Sequence, residues 1–271
     1  MQLGVIVWAT HIASLSNSLT FLALALSVGV TAGVFGMLCA HELAHSRSNF
    51  DRFVALAMLT GTSNRQFRIS HIYGHHRRGG TEHDAATAKL DESFYAFLIR
   101  TLPSQWREAW EFEQRRCAAR PWKNRAAQDV AATFLVYAAI IAGFGPRAAL
   151  FFLCQSAIAI VVLELFNYIA HYGLLRDVRA DGRPEASLDA YSWNASNEFS
   201  NLLIFNMGRH SDHHRRPAAS YQILSGIEGA PELPLGYAGS ILLALFPPLW
   251  RRVMNPQIFR MTSIPGTVSA Q

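Results

Sequence analysis

Residues 19–45 read LTFLALALSVGVTAGVFGMLCAHELAH. The first part of this stretch, Leu19–Ala40, is 22 residues without a charge. About 20 apolar residues are enough for a helix to cross roughly 30 Å of hydrocarbon. A buried core helix of a soluble protein is seldom so long and so free of charge. Gly29, Gly33 and Gly36 recur within it at helical spacing, a pattern that lets a neighbouring helix approach closely. At its end stand His41 and His45, four residues apart, so both imidazoles share one helix face.

Working outward, two further apolar runs, Val130–Phe144 and Ala148–Ile169, flank Gly145-Pro146-Arg147 and read as a helical hairpin with a tight turn. Glu164 is the one charge in its second arm. A weaker fourth candidate, Leu235–Trp250, is interrupted by Pro247-Pro248, and Phe53–Thr62 is too short to span. Leu3–Ser16 is apolar but half-length, and no basic region precedes it as in a signal peptide. The expected fold class is all-α: a polytopic membrane helical bundle with a histidine-rich cap. Of the 24 basic residues, only Arg147 lies in the hairpin turn. The others fall in 47–125, 176–216 and the C-terminal tail, so the histidine-bearing segments are expected on the cytoplasmic side.

The composition excludes several classes. The chain of 271 residues is 51% apolar and 16% charged, too apolar for disorder. Its net charge of +5 is mild, and no nucleic-acid partner is implied. Three scattered cysteines, Cys39, Cys117 and Cys154, give neither a disulfide framework nor a zinc-ribbon spacing.

Nine of the eleven histidines fall in four places: His41 and His45; His71, His75 and His76; His171; and His210, His213 and His214. Neutral imidazole suits iron, zinc and copper. Nine nitrogens exceed the coordination of one ion and divide naturally between two. Matching Glu-x-x-His ligand pairs of the four-helix carboxylate type are nearly absent. His41-Glu42-x-x-His45 also fits a zinc metalloprotease helix, but such a site needs one further ligand, not seven. Glu42 and Asp212 are candidates to hold imidazole N–H groups. Asp84, Glu164 and Asn167 are further candidates around the centre. Glu164 precedes His171 by seven residues on the same helix face.

At these positions the chain resembles the integral-membrane alkane 1-monooxygenases. These belong to the histidine-rich membrane di-iron superfamily that includes fatty-acid desaturases and xylene monooxygenases. The motifs are the HELAH box at His41–His45, the His71–His76 box, the NYIAHYGLLR segment at Asn167–Arg176 and the RHSDHH box at Arg209–His214. Asp84-Ala-Ala-Thr87, Ser192-Trp-Asn194, Ser200-Asn201 and Tyr221-Gln222 fit as well, and the likeness runs from about residue 3 to 258. It implies that all nine clustered histidines ligate two non-haem iron ions, whereas His11 and His83 match no ligand position. It implies one membrane-embedded oxygenase domain over 1–260, with 261–271 a frayed tail. Relatives usually carry two further transmembrane helices ahead of this start, so the chain reads as lacking them.

The implied reaction is hydroxylation of the terminal methyl of a medium- or long-chain alkane, or an alkyl chain, in the bacterial inner membrane. Aromatic-methyl hydroxylation, lipid desaturation and a truncated, inactive homologue are the alternatives. The sequence has no visible flavin, haem or iron–sulfur site. An external electron donor is therefore expected, and the resemblance implies rubredoxin or ferredoxin with its NAD(P)H-dependent reductase, docking on exposed pairs such as Arg77-Arg78, Arg115-Arg116 and Arg215-Arg216. Three departures from the family pattern stand beside histidines: Ser70 and Ala170 where glutamate is usual, and Gly208 where glutamine is usual.

Overall fold

A computed structural model describes residues 1–176 and 191–262. Part of the basic stretch 176–216 and residues 263–271 of the expected tail lie outside the described residues. The chain is built from α1 (Gln2–Leu15), α2 (Ser18–Ala44), α3 (Asn49–Thr60), α4 (Phe94–Arg116), α5 (Arg125–Phe144), α6 (Pro146–His171), α7 (Glu198–Leu203), α8 (His210–Arg215), α9 (Gly236–Ala244) and α10 (Pro247–Thr262). No strand occurs among the described residues, as the expected all-α class requires. Helices α2, α5 and α6 are long and apolar enough to cross a membrane, and they contain the three runs read from the sequence. The fourth candidate does not form a span. Its apolar stretch is cut into α9, nine residues long, and α10, which starts at Pro247. Nine residues of helix reach only about 14 Å, and proline favours the first turn of a new helix.

The described residues pack as two compact units, 1–71 with 106–163, and 72–105 with 164–176 and 191–262. In the first, the glycine stripe of α2 meets α6. A Cβ on Gly29 would stand 2.7 Å from Ile158 Cβ, and one on Gly33 would stand 2.7 Å from Val162 Cβ. Only glycine allows these backbones so close. Gly36 meets the Gln2 side chain of α1 in the same way. Around Gly33 and Gly36 the helix widens into a π turn, Ala32–Gly36, just before the first histidines. Ile6, Ala9, Phe21, Ala25, Phe151 and Phe152 fill the space between α1, α2 and α6. Asn124 caps α5 by accepting from the Ala127 amide at 2.9 Å. Gly145 makes the hairpin turn at φ 84°, where a side chain would be strained. Arg147 donates to the carbonyls of Ala13 and Ser16, which end α1. Phe134, Leu135 and Ile141 of α5 face outward, as lipid-facing positions do.

The second unit is held by buried aromatic side chains, four of which spend their polar ends on hydrogen bonds. The Tyr168 hydroxyl donates to the Glu92 carbonyl at 2.7 Å, and Tyr172 donates to Asn255 Oδ1 at 2.9 Å. Trp193 Nε1 donates to the Tyr172 carbonyl at 2.8 Å, and Tyr237 to the Trp193 carbonyl at 2.9 Å. Tyr168, Tyr172, Trp193, Tyr237 and Trp250 are all buried, so the chain leaving α6 at His171 is fixed on a rigid base. Burial pushes the Tyr172 hydroxyl up to about 12. Gly173, at φ 70°, turns the chain sharply, and its amide donates to the Ala88 carbonyl at 2.9 Å.

Close helix contact at the glycine stripe has a measurable consequence. Gly33→Ala is expected to cost about 1–3 kcal/mol by overpacking. Gly143→Ala, at a position with open space around its Cβ, is expected to be neutral or slightly stabilising. Unfolding of the two variants in detergent, followed by circular dichroism, checks this. Equal midpoints for both would remove the glycine stripe as the reason for the α2–α6 contact.

Candidate metal centre

In the first unit, one helix face and one turn bring three imidazoles together. His41 and His45 leave α2 on the same side, and His71 comes from the π turn Ser70–His75. His41 Nε2 lies 2.7 Å from His71 Nε2, which lies 3.2 Å from His45 Nε2. Phe67 stacks on His71 with ring centroids 4.8 Å apart, fixing the ring plane. π turns are rare and often mark functional sites. Here one precedes the first box and another contains the start of the second.

In the second unit, four imidazoles converge. His171 ends α6, His210 and His214 stand four apart on α8, and His75 ends the π turn. Nε2 of His171 and of His214 each lie 3.0 Å from His210 Nε2, and His75 Nε2 lies 3.2 Å from His214 Nε2. One nitrogen from each ring lies within 4.8 Å of the others, and all four residues are buried. A tetrahedral ion about 2.1 Å from each nitrogen would space them by roughly 3.4 Å, so the donor set fits a metal. Nearby, His76 and His213 form a pair with Nε2 atoms 3.2 Å apart. Burial first, and the surrounding imidazoles next, hold His210 and His214 well below the ordinary imidazole value of 6.5. They are neutral, with lone pairs free for a cation.

The rings are oriented from behind. Asp84, 3% exposed, accepts a hydrogen bond from His75 Nδ1–H at 2.8 Å, which leaves His75 Nε2 as the lone-pair nitrogen. Thr87 Oγ1 and the Ala86 amide donate to the same carboxylate at 2.7 and 3.2 Å. Burial works to raise its pKa, but His75 and these hydrogen bonds outweigh that and hold it below the usual range. Ser211, beside His210, is locked by Ser192 Oγ at 2.9 Å and Asn194 Nδ2 at 2.8 Å. Tyr191 stacks against His171 at 6.2 Å.

The remaining expected residues fall in several places. Asp212 is tied to Arg216 and to the Ser225 amide, which fixes the end of α8. Glu42 is half-buried on α2 beside the first pair. Glu164 is buried and accepts from Gln105 and Asn167. Gln105, on α4, was not singled out by any motif; its one signal is a polar residue on a buried helix face with Phe94, Phe97 and Ala109. His11 packs on Phe144 at 5.7 Å, and His83 is exposed. Arg115 pairs with Glu111, Arg116 with Glu113 and Arg216 with Asp212.

The three departures are built into the local packing. A Cβ on Gly208 would run into Asn201 Oδ1, so a side chain here requires Asn201 to shift. Ala170 is 2% exposed, and its carbonyl accepts from the Trp193 amide at 2.8 Å. Ser70 is 4% exposed, with Oγ donating to the Phe67 carbonyl at 3.2 Å.

Known proteins share this pattern. A family model described as fatty acid desaturase matches residues 17–238. An alkane 1-monooxygenase of Pseudomonas putida is 40% identical over 241 residues, covering 87% of this chain and 60% of the relative. Alkane 1-monooxygenase 2 of Pseudomonas aeruginosa is 36% identical over 266 residues, covering 95% of this chain and 71% of the relative. The hydroxylase component of the xylene/toluene monooxygenase of Pseudomonas putida is 30% identical over 243 residues, covering 87% of this chain and 64% of the relative. The chain thus spans about 60% of the length of several of the relatives it matches. Together with three helices of membrane-spanning length, these likenesses make it a membrane protein. Helices, histidine boxes and matched length all agree, and the chain belongs to the fatty acid desaturase family, among the alkane 1-monooxygenases.

Proposed function

We propose that this chain is a di-iron monooxygenase that hydroxylates the terminal methyl of an alkane or alkyl chain to a primary alcohol. The observation that carries it is the convergence of four buried imidazoles beside a carboxylate that fixes one tautomer. In this reading the tetrad His75, His171, His210 and His214 holds one iron. All nine clustered histidines together hold two irons. When bound, the irons supply dioxygen chemistry: one oxygen atom enters the substrate, the other leaves as water, and two electrons and two protons are consumed.

The chain's own residues supply orientation and dryness. Asp84 holds the His75 tautomer, Tyr191 and Phe67 fix ring planes, and the aromatic base under His171 excludes water. The substrate is apolar and dissolves in the bilayer, so selection of the terminal carbon rests on how deep the methyl is placed. The three cysteines are separate and free, so the chain holds no electron carrier of its own built on cysteine. Rubredoxin or ferredoxin with an NAD(P)H-dependent reductase serves as donor. The histidine-bearing side faces the cytoplasm of a bacterial inner membrane, where that donor resides. The likeness to the xylene/toluene enzyme favours a second reading, hydroxylation of an aromatic methyl group, which differs only in the substrate accepted.

Three outcomes test the proposal. Purified protein is expected to carry about two irons per chain and to convert a graded series of alkanes to 1-alcohols with an added donor system. One zinc and no iron, or alkene as the product, would overturn it. Asp84→Asn is expected to weaken metal binding roughly 10- to 100-fold, read by chelator competition, with helical content unchanged. Metal-free protein is expected to lose stability as pH falls below about 6.5. His210 and His214 resist protonation when folded but accept protons when unfolded, so their contribution is present above 6.5 and lost below it. Unfolding midpoints at pH 7.5 and pH 5.5 check the sign, and a midpoint higher at the lower pH would contradict it.

A further inference from the structure

Between Arg147 and His171, α6 carries a single charged side chain, Glu164. It is 0% exposed. An ionisable residue inside a membrane-spanning helix is expensive to bury and marks function more often than not. Its carboxylate accepts from Gln105 Nε2 at 2.9 Å and from Asn167 Nδ2 at 3.2 Å. Gln105 is itself steadied by Thr101, its amide nitrogen 3.1 Å from Thr101 Oγ1 one turn earlier on α4. Both donors to Glu164 are neutral amides, and the carboxylate forms no ion pair among the described residues. Two amide hydrogen bonds orient a buried carboxylate but do not balance its charge.

Helical phase says where the balancing charge belongs. Glu164, Asn167 and His171 stand at i, i+3 and i+7, on one face of α6, with Glu164 about 10 Å from His171 along the axis. The four imidazoles of the tetrad bring no charge to an ion they bind. Asp84, through His75, supplies one negative charge, so a divalent ion there is left with one positive charge uncompensated in a buried setting.

We propose that Glu164, clamped by Gln105 and Asn167, is the second counter-charge of the tetrad's ion. It is a positioning residue that sets how tightly, and at what potential, that ion is held. This rests on the metal reading above. With Asp84 and Glu164 both ionised, a divalent ion in four neutral imidazoles is neutral overall. Coulomb attraction over about 10 Å of low-dielectric protein is strong enough for one charge to alter affinity tenfold or more.

The test uses the full chain in detergent, loaded with iron(II) or with cobalt(II) as a spectroscopic probe. Glu164→Gln keeps the shape and removes the charge. It is expected to weaken binding of one of the two ions roughly tenfold or more in chelator competition and to raise its reduction potential. The metal-free variant should unfold no more easily than the parent, because an uncompensated buried charge has gone. Gln105→Leu, which keeps the carboxylate but removes a donor, should shift affinity in the same direction by less and stands in if Glu164→Gln does not fold. Glu111→Gln, an exposed charge change, should do nothing. Unchanged affinity and potential in Glu164→Gln, or a variant that is merely unstable without metal, would overturn the proposal. A parent protein that binds no metal would overturn the metal reading and this inference together.

Discussion

Everything in this chain answers to one constraint: imidazole nitrogens from distant parts of the sequence must present lone pairs to a common point while buried. A neutral imidazole has one such nitrogen, and which one it is depends on the partner of the other. Asp84 settles that for His75 by accepting a hydrogen bond from Nδ1–H at 2.8 Å. Burial keeps His210 and His214 unprotonated, and a protonated ring would repel both its neighbours and a cation. The cluster is therefore costly to assemble without an ion. Backbone elements that would be loose elsewhere are pinned here: Ser211 by Ser192 and Asn194, the α8 terminus by the Asp212–Arg216 pair, and the turn after His171 by the Gly173–Ala88 hydrogen bond.

The long helices convert that local demand into a bundle. A histidine can be held at the end of a membrane-length helix only if the helix cannot slide or rotate. The Gly29–Gly33 stripe supplies this for α2 by letting its backbone sit directly against Ile158 and Val162. Arg65 and Asp129, joined at 2.9 Å, tie the loop before the second histidine box to the start of α5. Arg147 ties the opposite end of the hairpin to the last carbonyls of α1. Polar anchors thus hold these helix ends, and the glycine contacts of α2 lie between them.

Much of this was legible in the sequence because it is periodic. The 22 uncharged residues before His41, the spacing of the three glycines and the i, i+4 histidine pairs each state a geometry that helices then realise. The failure of the fourth span was foreshadowed by Pro247-Pro248, and the structure starts a new helix at Pro247. Spacing could not divide the second box, whose His71 meets His41 and His45 while His75 meets His171, His210 and His214. A π turn sets that division, and no residue type announces one. Gln105 escaped notice for another reason: its partner lies 59 positions away, and a lone amide on an amphipathic helix carries no motif.

Charge accounting connects these residues to the three departures. Glutamate at position 70 or 170 would place further negative charge next to a ligating histidine. Here serine and alanine fill those positions, and Ala170 is buried, with its carbonyl bonded to the Trp193 amide. The negative charge around the tetrad then falls to the carboxylates that remain, Asp84 at the imidazole itself and Glu164 two turns along α6. Fewer carboxylates around the same imidazoles leave a bound ion more electron-poor and easier to reduce. The departures at 70 and 170 therefore shift the charge around the histidine cluster while every clustered histidine is kept, and they make Asp84 and Glu164 matter more in this chain than they would where glutamates stand beside the histidines.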